Sequence, residues 1–264
     1  MEVLNFLIWP FAACVLLILI HAYFGIHILE RGIIFVDLSL AQFIGVGIAC
    51  SFLFSHDGLI KYILSISFAV LGAFIFAFSR RISKHTNIEA FIGVLYIFSL
   101  AASILALDRS PHGLEEFKAI LNGNIIWVGR DDIAYTFIIY AAIGIFHVIF
   151  RKRFFALSFE GKGSFFWEFL FFLSFAIVLV KSVQMAGILQ VFAFLIIPAL
   201  IGRLFTREPL KVLISGWLLG FISSSFGVFA SYRWDLPTAP LIVAALSLLY
   251  FLILLIKALT SKRG

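Results

Sequence analysis

The chain carries 14 Asp and Glu and six His among its 264 residues, and one acid, Asp37, falls inside a long apolar stretch. A carboxylate at membrane depth costs about 2.5–3.5 kcal/mol on insertion scales, so such residues face a bundle interior or a water-filled path. Asp37, Ala41, Gly45 and Ala49 recur every four residues, which in a helix forms one ridge of small side chains headed by the acid. Small ridges are where membrane helices approach each other closely, so Asp37 is expected to point into protein. Two readings of it stand: an acid lining a route for a cation, or a helix-end acid that bonds nearby backbone N–H groups or Arg31.

Other candidate chemistry is sparse. His21, His27, His56, His85, His112 and His147 include no pair three or four residues apart, the spacing that brings two ring nitrogens to one helix face. H-E-x-x-H, G-x-S-x-G and G-x-x-x-x-G-K-[ST] are all missing from the sequence, so neither a hydrolase site nor a nucleotide-binding loop is expected. Energy for active transport would therefore come from another subunit. His21 and His147 read as core or interfacial residues, and Cys14 and Cys50, which form no CxxC, as buried thiols. Lys181, Gln184 and Gln190 fit either a polar vestibule or, for Lys181, snorkelling to an interface. Pro198, inside an apolar run, removes a backbone hydrogen bond and suits a gating kink.

The elements that must hold these residues follow from composition. The chain is 63% hydrophobic and 13% charged, against about 45–50% and 25% for a soluble domain, so a water-solvated globule is excluded. At about 20 apolar residues per crossing, breakers divide the sequence into nine spans: 4–26, 33–54, 60–79, 89–107, 132–150, 167–186, 188–205, 210–231 and 239–257. Backbone groups in lipid must be satisfied within the segment, so each run is a helix. The expected fold is an all-α polytopic helix bundle, with residues 1–264 forming one transmembrane domain. The first apolar run has no Lys or Arg before it and is too long for a signal-peptide core, so it reads as a retained span. Ala69, Ala73 and Ala77, and Gly216, Gly220 and Ser224, form further small ridges that predict tight packing.

Of the 20 Lys and Arg, 14 fall on one side of this arrangement: Arg31, Arg80, Arg81, Lys84, Arg151, Lys152, Arg153, Lys162, Arg203, Arg207, Lys211, Lys257, Lys262 and Arg263. The positive-inside rule then places the N-terminus outside and the C-terminus in the cytoplasm. Asp57, Asp108, Glu115, Glu116, Asp131, Asp132 and Asp235 fall on the outer side, which makes that face acidic. The basic pI reports topology, with no case for nucleic-acid binding. Between Asp108 and Asp131 the stretch Phe117–Val128, broken by Asn122-Gly123-Asn124, is too short to span and is expected at the interface or dipping back. The turn from Tyr232 to Pro240 reads as a rigid lid. The inner segment from Arg151 to Trp167 reads either as a docking surface for a cytoplasmic engine or as a basic anchor for helix ends.

Several segments together resemble the membrane permease subunits of ABC importers for zinc, manganese and iron(II). These are Gly25-Ile-His-Ile-Leu-Glu-Arg-Gly-Ile-Ile-Phe-Val-Asp37-Leu-Ser-Leu-Ala-Gln42-Phe-Ile-Gly45, Gly123-Asn124-Ile125 and Ala156-Leu157-Ser158-Phe159-Glu160, followed by Gly187 to Ala199 through Pro198 and by Ser231 to Pro240. They come in the family's order and cover nearly the whole chain. The resemblance implies a transport subunit rather than an enzyme, with no cofactor of its own and a divalent metal ion as transported substrate. It implies Asp37 in the translocation pathway, an ATPase docking under the loop at Ser158, Phe159 and Glu160, an extracytoplasmic metal-binding protein, and a homodimer or paired permeases. The sequence departs from the pattern where the family carries Ser-His one turn beyond the Asp and this chain has Leu40-Ala41, then Gln42. Gln42 is about 140° around the helix from Asp37, so it is at most a weak substitute metal contact. Loss of the imidazole weakens a zinc-specific reading, since Zn²⁺ favours N and S ligands. A multi-spanning membrane enzyme and a non-transporting scaffold are the alternatives, disfavoured by the missing catalytic motifs and the buried acid respectively.

Overall fold

A computed structural model describes residues 2–54, 58–108, 110 and 112–261. His56, Asp57, Lys262 and Arg263 of the reading above lie outside these. The described residues form eleven α-helices: α1 (Glu2–Arg31), α2 (Val36–Phe54), α3 (Gly58–Ala77), α4 (Ser79–Ile82), α5 (Ile88–Leu107), α6 (Gly113–Asn122), α7 (Arg130–Ile149), α8 (Arg151–Phe159), α9 (Phe165–Phe205), α10 (Pro209–Trp234) and α11 (Thr238–Ser261), with a 3₁₀ turn at Ile125–Trp127. Eight of the helices are long and apolar enough to cross a membrane.

One of the eight crosses twice. Helix α9 has 41 residues, or about 60 Å if straight, twice the roughly 30 Å of a hydrocarbon core. Its two ends nevertheless meet the same end of α1: Arg31 pairs with Glu168 near the start of α9, while the adjacent Glu30 pairs with Arg203 near its end. A straight helix would hold those two ion pairs roughly 50 Å apart. The fold-back is at Gly187, which leaves helical geometry at φ 73°, ψ 167°. Its two arms correspond to the expected spans 167–186 and 188–205, so nine crossings are reached with eight long helices.

The hairpin tip is seated on another glycine. Gly123, also at positive φ (61°), ends α6, and a Cβ on either glycine would run into the other's backbone. The next amide, Asn124 N–H, donates to the Met185 carbonyl at 3.2 Å. The Phe117–Val128 stretch is therefore the end of an amphipathic helix, a tight turn and a 3₁₀ turn, packed on the hairpin rather than lying free. The reason is local: Gly123 lets the chain turn where Asn122-Gly123-Asn124 stops α6.

Alternation of the crossings puts the end of α1, the start of α2, α4, α8, both ends of α9 and the end of α11 on one face, which we call the Arg31 face. Helix α6, the start of α7 and the Gly187 tip lie on the opposite face. Lys257 near the end of α11 donates to Leu204 C=O of α9, as this arrangement requires. Helix α2 and the α9 hairpin are buried on most sides, whereas α5, α7 and α11 expose most of their apolar surface. The inner segment from Arg151, expected as a loop, is largely the helix α8. Phe154, Leu157 and Ser158 are its buried side, a three-then-one spacing that a helix brings onto one face.

Gly187→Ala is expected to destabilise the fold by at least about 1–3 kcal/mol through backbone strain alone, beyond the collision with Gly123. Gly144→Ala, where α7 leaves open space around the Cα, is the control. Thermal unfolding of the two variants in detergent checks this, and equal melting temperatures would reject the hairpin seat.

Candidate functional site

The α1–α2 turn is made by Gly32 at φ 63° and tied down by Glu89, the first-turn acid of α5, whose carboxylate accepts from Ile34 N–H at 2.6 Å. Asp37 follows directly, in the first turn of α2 near the Arg31 face. It is 1% exposed, and among the described residues neither carboxylate oxygen has a hydrogen-bond partner. Both ordinary explanations of a helix-end acid thus go unrealised: no backbone N–H reaches it, and Arg31 is committed to Glu168. What favours the anion locally is the positive end of the α2 dipole.

The ridge continues away from Asp37 through Ala41, Gly45 and Ala49, all buried. At Gly45 it faces Ser103 of α5 and Ile120 of α6: a methyl built on Gly45 would lie 3.7 Å from Ser103 Oγ and 3.6 Å from Ile120 Cγ2. The same methyl would lie 3.6 Å from Gln42 Oε1. Gln42 does leave the helix well away from Asp37, yet its long side chain bends onto the ridge because Gly45 leaves the space. Farther along, Ile48 lines a cavity of about 410 Å³ on the opposite face, with Lys61, Glu116, Lys118, Asn122 and Gln184. One side of α2 therefore runs from a polar cavity at one end to an unpaired acid at the other.

On the Arg31 face the sequence reading missed the organising residue. Glu168 is 1% exposed and sits between Arg31 and Arg80, which pair with its two carboxylate oxygens. Arg80 also donates to Leu157 C=O at 2.8 Å and to Gly161 C=O at 2.7 Å, so it satisfies carbonyls at the end of α8. The visible signal was an acid within Phe165-Phe166-Trp167-Glu168-Phe169; a charge in such a run needs a partner. Here the partners are Arg31, weighed above as a partner for Asp37, and Arg80, counted only as a topological charge.

The three residues expected at the docking loop divide. Ser158 is buried with Oγ 2.8 Å from His27 Nδ1. Phe159 is partly buried, stacked on Phe155 at 4.3 Å between ring centroids. Glu160 is exposed, 3.4 Å from Lys162. Beside them lies a groove of about 550 Å³ lined by Arg31, Ser79, Arg80, Lys84, Leu157 and Gly161 among others. Pro198, on the second arm of α9, packs against Gly216 of α10.

His21 and His147 are core residues. His147 holds Tyr23 Oη at 3.0 Å and Ser174 Oγ at 2.7 Å, and His21 Nδ1 reaches Leu17 C=O at 2.7 Å. Lys181 pairs with Asp132 at 3.6 Å, and Gln190 Nε2 reaches Cys14 Sγ at 3.5 Å. Among the described residues no group of three or more His, Cys, Asp or Glu is placed to hold a metal ion.

Such a bundle, with one unpaired acid on a buried helix and a separate charged face, is that of a multi-pass membrane transport protein. The profile of the ABC 3 transport family matches residues 3–257, and the chain belongs to that family. It is 24% identical over 241 residues to the manganese transport system membrane protein MntC of Listeria monocytogenes, covering 89% of this chain and 84% of the relative. It is 26% identical over 205 residues to the manganese transport system membrane protein MntB of Synechocystis, covering 72% and 66%. Among solved structures, a chain of PsaBC from Streptococcus pneumoniae in complex with Fab superposes with a TM-score of 0.76 at 23% identity, covering 94% of this chain and 90% of the other. That likeness concerns the fold. The chain is a multi-pass permease of the cell membrane.

Replacing Glu168 by Ala leaves Arg31 and Arg80 facing each other without a counter-charge. The expected cost is about 3 kcal/mol or more, the range for breaking one side of a buried ion pair. It should appear as a melting temperature in detergent well below that of Glu160→Ala, which removes only an exposed acid; matching values would show that the pair is dispensable.

Proposed function

We propose that the chain is the membrane-spanning subunit of an ATP-driven importer of divalent metal ions, with Asp37 a ligand on the ion's route. The observation that carries this is the acid itself: fully buried, unpartnered, and on the small-residue ridge of a helix buried on most sides. An unpaired carboxylate at that depth is costly unless it has a cationic visitor. Family membership supplies the transport role, and relatives named for manganese transport support the ion class. An oxygen donor without a nearby imidazole suits Mn²⁺ or Fe²⁺ better than Zn²⁺.

In this reading the Arg31 face is cytoplasmic, as its excess of Lys and Arg favours. An ATPase pair docks under α8, using the exposed Glu160 and the half-exposed Phe159, while Ser158 holds the helix from within through His27. A metal-binding protein delivers ions to the acidic opposite face, and two copies of the chain form the permease. ATP binding beneath alternates access along α2. The ion sheds part of its hydration for carboxylate and neutral oxygens, and a single acid per chain holds it weakly enough to leave. Pro198, which frees a carbonyl in the second arm of α9, marks where that arm can bend.

Asp37→Asn keeps the size and removes the charge, so assembly with the ATPase should survive while Mn²⁺ uptake into proteoliposomes falls to background. Wild-type uptake would sink the pathway role. Replacing Phe159 and Glu160 together by Ala should reduce co-purification of the ATPase. Full recovery of the complex with unaltered metal-dependent ATP turnover would remove α8 from the docking surface.

A further inference from the structure

Serines inside membrane helices ordinarily bond back to a carbonyl one turn earlier, and this chain follows that habit. Ser65, Ser67, Ser99, Ser182 and Ser225 each donate to the carbonyl four residues before. Ser103 does not. It is 1% exposed, and its Oγ has no hydrogen-bond partner among the described residues. It belongs to the buried stripe of α5 formed by Ile92, Ser99, Ser103 and Leu107, one turn beyond a serine that is satisfied. Its hydroxyl borders Gly45, on the ridge that leads to Asp37.

Gln42 borders the same space. It is 2% exposed, and its carbonyl oxygen lies 3.6 Å from where a methyl on Gly45 would stand, against 3.7 Å for Ser103 Oγ. An amide oxygen and a hydroxyl from two helices therefore flank one glycine, two turns along α2 from the acid, or about 12 Å at the helical rise. Burying the Ser103 hydroxyl without a partner is unfavourable, and membrane proteins concentrate polar groups of this kind along substrate routes. Both donors are hard, neutral oxygens, and the remaining atom nearest a methyl on Gly45 is the apolar Ile120 Cγ2.

We infer that Gln42 and Ser103, both bordering the space at Gly45, form a second ion station on the route, one that accepts a hard divalent cation on its way between the opposite-face cavity and Asp37. This rests on the proposed metal route through Asp37 and adds to it where the ion pauses and what sets its preference. Neutral oxygens hold a partly hydrated divalent ion more weakly than a carboxylate does, so the station passes the ion on. An oxygen-only set also disfavours softer ions relative to Mn²⁺. In the conformation described here the space is about the size of a methyl group, so the station is closed and opens only when α2 and α5 part.

The test uses the whole transporter, permease with its ATPase and binding protein, in proteoliposomes. Gly45→Ala fills the gap at ordinary contact distances, so it should fold and melt like the wild type. Its Mn²⁺ uptake should nevertheless fall about tenfold, the scale of one lost polar contact to a charged group. Ser103→Ala should fall similarly. Ser103→Cys, which keeps the size and softens the donor, should move the Mn²⁺ to Cd²⁺ uptake ratio toward Cd²⁺ by about tenfold. Normal uptake by both Gly45→Ala and Ser103→Ala, alongside an inactive Asp37→Asn, would overturn the station and leave the pathway acid standing. Normal uptake by Asp37→Asn as well would overturn the route on which the station depends.

Discussion

Glu168 sets the geometry of the Arg31 face, because its carboxylate is the one point at which four helices are tied. Arg31 brings the end of α1 to it, Arg80 brings α4, and Arg80's remaining nitrogens hold the carbonyls that close α8. Water does not reach this carboxylate, so neither arginine can let go without leaving a buried charge uncompensated. The consequence extends along the chain. Arg31 is the last residue of α1, and Asp37 lies in the first turn of the next helix, with Glu89 holding the turn between them at Ile34. Helix α8 and Asp37 are thus separated by one ion-pair cluster and one short turn.

The opposite face is held chiefly by backbone contact, with Lys181–Asp132 as an ion pair beside it. Two glycines at positive φ press their backbones together where α6 ends and α9 folds back. No side chain takes part, so the hairpin tip is set by backbone shape alone. Such an arrangement holds position firmly while presenting nothing to bind an ion. It leaves the polar lining of the neighbouring cavity to Lys61, Glu116, Lys118, Asn122 and Gln184. The two ends of the bundle are therefore built on different principles, a charge cluster at one and a steric seat at the other, with α2 running between.

Most of the helices were legible in the sequence, for a physical reason: in lipid an apolar run of crossing length has helix as its main option. The break at Gly187 was legible as a gap between two runs. The seat on Gly123 was not, because a backbone contact between segments distant in sequence has no compositional trace. Asp37 stood out since nothing else ionisable lay on its ridge. Glu168 was hidden by its neighbours: it begins a span, where an acid looks interfacial, and its arginines had a sufficient explanation as topological charges. Ser158 looked available because it sits in a family-like motif, yet the helical register of α8 turns it toward His27. Position in a motif does not decide which way a side chain faces.

Gln42 illustrates the converse limit. Angular spacing on a helical wheel locates the Cα–Cβ bond, and by that measure Gln42 and Asp37 look in different directions. The wheel takes no account of side-chain length, nor of a neighbouring glycine that leaves room for an amide to fold back. Where the family pattern has an imidazole one turn from the acid, this chain has Ala41, and oxygen donors border the ridge farther along, at Gly45, from Gln42 and Ser103. An imidazole and a carboxylate one turn apart would favour a borderline ion held tightly at one place. Neutral oxygens two turns from a carboxylate spread the interaction over a longer path and weaken each stop. For an ion that must be released on every cycle, and that prefers oxygen to nitrogen, the second arrangement loses affinity at any single point while keeping the ion in contact with protein oxygens along the way.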